Sequence, residues 1–116
     1  MSDQPSTDHW NEREWLAFLL LCAAEADGIE DVREMRLLRV NFGSELIDRM
    51  RDHYQGMRPE ARTALLRDTL PMRLRERPAR EKVQRLLRQV VMADGDYRPE
   101  EQALVHRISQ WLRGEP

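Results

Sequence analysis

The chain has 116 residues, 34% of them charged and 41% hydrophobic, with a formal net charge of −2. That is the size of one domain, and so balanced a charge supplies no global field for nucleic acid, which is not expected as a partner. Cys22 is the single cysteine, which excludes an internal disulfide and a cysteine-rich metal site. Met1 to His9 is polar without a secretion pattern. The longest apolar run, Trp15 to Ala24, is half of the roughly 20 residues that a membrane span needs. A cytoplasmic protein is expected.

Residues 1–10 read as a flexible N-terminal tail and 11–114 as one helical domain. Asn11 with Glu14 is a capping box that opens a helix from Glu12 to Ala26. Between Leu16 and Ala24 that helix is apolar nearly all round, so it should be buried on every side, at the centre. Gly28 suits its C-terminal end. Asp31 caps a second helix to about Asn41, burying Met35, Leu38 and Phe42. Ser44 caps a third, to about Tyr54, with Leu46, Ile47, Met50 and Tyr54 inward, and Gly56 stops it. Pro59 suits the first turn of a fourth, with Ala61, Ala64, Leu65 and Leu70 inward. Pro71 and Pro78 bracket a short irregular or single-turn piece. Pro78 opens a fifth helix, burying Val83, Leu86, Leu87, Val90 and Val91. Gly95 ends it, and Pro99 opens the last, where Leu104, Ile108, Trp111 and Leu112 follow helical spacing. No stretch alternates as a strand does. The fold class is all-α: a compact bundle of six to seven helices.

One phrase occurs twice. Ala26-Asp27-Gly28 is followed, after five residues, by Glu34; Ala93-Asp94-Gly95 is followed, after five, by Glu101. Asp27 and Asp94 are 67 residues apart. The same offset pairs Leu19 and Leu20 with Leu86 and Leu87, Leu37 with Leu104, and Glu14 with Glu81. The chain therefore contains two helix-turn-helix repeats, too few for a solenoid, and a pseudo-twofold domain is expected. Each Asp sits at a helix C-terminus, where the macrodipole disfavours an anion by roughly 0.3–1 kcal/mol. Asp, Gly and the later Glu match positions 5, 6 and 12 of a calcium EF-hand loop. The front half of that loop is missing: position 1 falls on Ala23 or Val90, and position 3 on Glu25 or Met92. Neither turn is an EF-hand alone. Two facing turns could pool Asp27, Glu34, Asp94 and Glu101, with Glu30, Asp31, Asp96 and Glu100 nearby, for a divalent cation. Oxygen donors favour calcium, magnesium or manganese. Turn and cap preferences account for the same residues without a metal, since Asp-Gly is a common turn and Glu is favoured at the third helical position. Both readings stay open on spacing.

The repeated apolar helix, Ala-Asp-Gly, five residues and Glu resembles the TerB family of tellurite-resistance proteins, and the TerB-like domain found beside J-domains in membrane-anchored co-chaperones. The resemblance runs from about Trp15 to Trp111 on Asp27, Gly28 and Glu34, then Asp94, Gly95 and Glu101. Glu30 and Tyr97 depart from it, standing where aliphatic residues are usual. The resemblance implies an all-helical fold with two internal repeats, an acidic cluster proposed to hold a divalent metal, and a non-catalytic role in stress-response complexes. Expected partners are other proteins of such a complex, with an anionic membrane reached through one of them. A metal-free interaction adaptor is the alternative, and a metal-dependent hydrolase a third; no triad, phosphate loop or His-Glu-x-x-His supports an enzyme.

A second candidate surface is the basic stretch with Arg73, Arg75 and Arg77, continued by Arg80, Lys82, Arg85 and Arg88. If those first three arginines dock an anionic partner, they should be exposed and free of internal ion pairs. The alternative is a solvated face. His9, His53 and His106 have no ligand spacing and read as surface residues. Trp10 is a candidate exposed partner contact, and Cys22 a small core residue.

Overall fold

The first helix, α1 (Glu12–Ala24), buries Trp15 and every residue from Ala17 to Ala24. A helix apolar on all sides must be covered on all sides. In the computed structural model, which describes residues 10–25, 32–92 and 99–113 without the side chains of Val91 and Glu101, five further helices supply the cover. They are α2 (Val32–Phe42), α3 (Ser44–Gln55), α4 (Pro59–Arg73), α5 (Arg77–Val91) and α6 (Pro99–Leu112). Each of the five packs against α1. The Cα radius of gyration, 13.3 Å, is about that of a compact domain of this length. The fold is an all-α bundle, and the described residues contain no strand.

Local rules explain most of the boundaries. The Asn11 side chain accepts from the Glu14 amide (2.7 Å), and the Glu14 side chain accepts from the Asn11 amide (3.0 Å), completing the capping box. Pro59 stands in the first turn of α4, where its missing N–H costs nothing. In α1 the buried Trp15 indole donates to the Thr69 hydroxyl of α4 (2.9 Å), which itself donates to the Leu65 carbonyl (2.6 Å). That chain satisfies a buried donor that would otherwise be costly to leave alone.

One pair of helix ends keeps the 67-residue offset: the last residues of α1 and α5, Ala24 and Val91, are 67 apart. Contacts follow the same exchange. An operation that swaps α1 with α5 and α2 with α6 turns the α1–α2 contact into α5–α6, and α1–α6 into α2–α5. All four pairs are present, and α1 packs directly on α5. Helices α3 and α4 lie between the repeats in sequence and close the remaining sides of α1.

Four expectations need correction. Trp10 belongs to the fold, not to a tail or a partner surface. It is 3% exposed, its ring lies 5.2 Å from Phe18 and 5.3 Å from His53, and its carbonyl accepts from Arg73 (3.1 Å). The first helix ends at Ala24, two residues early. No irregular piece begins at Pro71: α4 runs through it to Arg73. Pro71 is in the last turn, where only one carbonyl loses its donor, while Leu70 and Leu74 are buried on either side of it. Ser44 does not cap α3. The capping position is Gly43, with no side-chain hydrogen bond; at φ 87° and ψ 144° it occupies a region that is essentially glycine's alone. The expected caps at Gly28, Asp31 and Gly95 lie outside the described residues.

A Cβ at Gly43 would meet no atom within 4 Å, so Gly43→Ala isolates the backbone conformation. It should lower stability by about 1–3 kcal/mol, while Ser44→Ala stays within about 0.5 kcal/mol. Urea unfolding of both variants checks this; the reverse order would restore Ser44 as the cap.

Candidate functional site

Of the eight acidic candidates, Glu34 and Glu100 have described side chains. Asp27, Glu30, Asp31, Asp94 and Asp96 lie outside the described residues, and Glu101 opens α6 without a described side chain. Glu34 is 1% exposed, the one buried charged side chain among the described residues. It stands in the first turn of α2, the helix end whose dipole favours an anion. The two residues before it, Val32 and Arg33, are exposed, and the next, Met35, is buried with it. Among the described residues no three acidic, histidine or cysteine side chains form a metal-holding group.

The flanks of the two acidic turns reach one cleft. Glu25 precedes the first turn, Glu100 follows the second, and both line a cavity of about 690 Å³ between α1, α3, α4 and α6. Cys22 and Leu66 give it an apolar side, together with Leu104 of α6. Tyr54 and Arg62 form a fixed pair within it. The guanidinium carbon of Arg62 lies 3.8 Å from the Tyr54 ring centroid, and Arg62 Nε donates to the Tyr54 carbonyl (2.9 Å). Burial raises the Tyr54 hydroxyl above its ordinary pKa, partly offset by the Arg62 charge. Glu25 is neutralised by Arg51 of α3, 3.6 Å away. Arg107, on α6, is exposed. Nothing in the sequence singled out Arg62 or Arg107. Each lies three or four residues from a leucine at the edge of an apolar stripe, a pattern that many surface arginines share.

The basic stretch divides. Arg73 is half-buried and donates to the Trp10 carbonyl (3.1 Å). Arg77 is exposed and pairs with Glu81 (3.0 Å). Arg75 is exposed and has no acidic partner among the described residues. The expectation that all three stand exposed and uncommitted holds for Arg75 alone. Arg80 donates to the Leu74 (3.5 Å) and Arg75 (2.9 Å) carbonyls, fixing the turn between α4 and α5. His53 and His106 are exposed. No described helix is long and apolar enough to cross a membrane.

Cys22 is a free thiol, 6% exposed, and burial pushes its pKa far above the ordinary 9.0. The folded chain therefore holds a proton that the unfolded chain releases. The stability this confers is fully present below about pH 9 and is lost as pH rises above it. Between about pH 9 and 11 the parent should lose stability faster than Cys22→Ala, by up to about 1.4 kcal/mol per pH unit. Parallel pH profiles in chemical denaturation would place the thiol in contact with solvent.

Comparisons of the chain with protein-family models, with curated proteins and with solved structures find no match.

Proposed function

We propose that the chain is a non-enzymatic, cytoplasmic TerB-like domain of a stress-response complex of the tellurite-resistance kind, binding a divalent cation through its two acidic turns and presenting that end to partner proteins. The supporting observation is the repeat itself. Helices α1 and α5 end 67 residues apart, the same spacing as the two Asp-Gly-x5-Glu phrases in the sequence, and the flanking Glu25 and Glu100 line one cleft. Glu34 adds a carboxylate withdrawn from solvent. Asp27, Glu34, Asp94 and Glu101 would hold the cation, and these hard oxygen donors suit calcium, magnesium or manganese. Bound there, the cation would supply charge neutralisation.

A metal-free adaptor is the second reading. It is favoured by the Arg51–Glu25 pair, which already sets an internal cation beside the first acidic turn.

Thermal unfolding separates the two. A cation bound by the folded state alone stabilises by RT ln(1 + [L]/Kd), about 2.7 kcal/mol at a hundred times Kd, or on the order of 10 °C for a domain of this size. Millimolar calcium, magnesium or manganese should raise Tm beyond the effect of matched ionic strength. In metal-free buffer Asp27→Asn and Asp94→Asn should raise Tm slightly by relieving repulsion at a helix C-terminus, and both should lose the metal response. A parent Tm unmoved by all three cations would leave the adaptor.

A further inference from the structure

The cleft between α1, α3, α4 and α6 has a chemistry that the cation reading does not use. Its volume, about 690 Å³, lies within the range of small-molecule sites. Two helices face it with stripes of i, i+3/i+4, i+7 spacing. Pro59, Arg62 and Leu66 come from α4, and Glu100, Leu104 and Arg107 from α6. Each stripe carries one arginine beside an apolar residue. Neither Arg62 nor Arg107 has a carboxylate within ion-pair distance among the described residues.

Arg62 is preorganised. Its Nε is committed to the Tyr54 carbonyl and its plane to the Tyr54 ring, which leaves its outer nitrogens, with four N–H donors, held at low further entropy cost. A planar carboxylate is the natural acceptor for such a fork. Of the two acids lining the cleft, Glu25 is already engaged by Arg51, and Glu100 stands exposed in the first turn of α6. Arg62 and Arg107 therefore outweigh Glu100 in the charge left over, and they adjoin the half-buried Leu104 and the exposed Ala103.

We infer that this cleft binds a small amphiphilic carboxylate, its anionic end taken by Arg62 and Arg107 and its hydrocarbon body laid along Ala103 and Leu104. The site is independent of any cation at the acidic turns.

Isothermal titration calorimetry of the full chain in EDTA tests this with dodecanoate below its micelle threshold, beside dodecanol and dodecylammonium of the same chain length. Dodecanoate should bind at one site per chain and more tightly than either analogue. Arg107→Gln should weaken it roughly tenfold or more, the usual loss for one hydrogen bond to a charged group. Ala103→Glu, which adds a negative charge to an exposed lining position of α6, should weaken it at least as much. Both positions are exposed, and circular dichroism confirms folding. Arg85→Gln removes the same charge from the outer face of α5, away from the cleft, and should leave binding unchanged. The inference is overturned by no binding, by equal affinity for dodecanoate and dodecanol, or by an Arg85→Gln loss that matches Arg107→Gln.

Discussion

The fold depends on one constraint: α1 has no polar face to give to water between Leu16 and Ala24. Each large apolar side chain taken from water contributes about 1.5–3 kcal/mol, and from Trp15 to Ala24 every residue except Leu16 is buried. One neighbouring helix covers a stripe; an all-round helix needs several. The other five helices are arranged by that need, and their own faces show it. Val83, Leu87 and Val90 point inward from α5, while Lys82, Arg85 and Arg88 stay outside. Even the indole of Trp15, the one polar group of this segment's side chains besides the Cys22 thiol, is satisfied by Thr69 of α4.

Covering α1 also fixes where the charged groups go. The repeat places α5 directly against α1 and leaves α6 and α2 as exchangeable partners of the two. Glu25 and Glu100 are thereby brought to one cleft although they are 75 residues apart in the chain. Glu25 stands at the C-terminus of α1, the helix end where the dipole disfavours an anion. Glu34 shows the favoured side, buried in the first turn of α2. The cleft lined by Glu25 and Glu100 then mixes two chemistries: hard acidic oxygens, and a preorganised arginine beside apolar residues.

Much of this was legible in the residues. The apolar run of α1, the capping box at Asn11 and Glu14, the proline at the start of α4 and the 67-residue offset each act locally or by simple periodicity, so the sequence carries them openly. What was missed needs tertiary contacts. Trp10 looks like the end of a polar tail until Phe18, His53 and Arg73 gather around it. Pro71 looks like a helix breaker until buried leucines on both sides hold α4 together. Ser44 has the right chemistry for a cap, but the chain turns at Gly43 instead. Arg62 gains its character only from Tyr54, eight residues back, when α3 and α4 fold over Cys22.

In the proposed function the two halves bring their acidic turns to one shared cation site. Manganese provides the most direct test, because it broadens the resonances of backbone amides close to it. In a titration at substoichiometric manganese, amides of both turns, around Asp27 and around Asp94, should broaden together along one saturating curve. Those around Arg85 on the outer face of α5 should stay sharp. Broadening confined to one turn, or spread evenly over exposed acids such as Glu45 and Glu60, would contradict it.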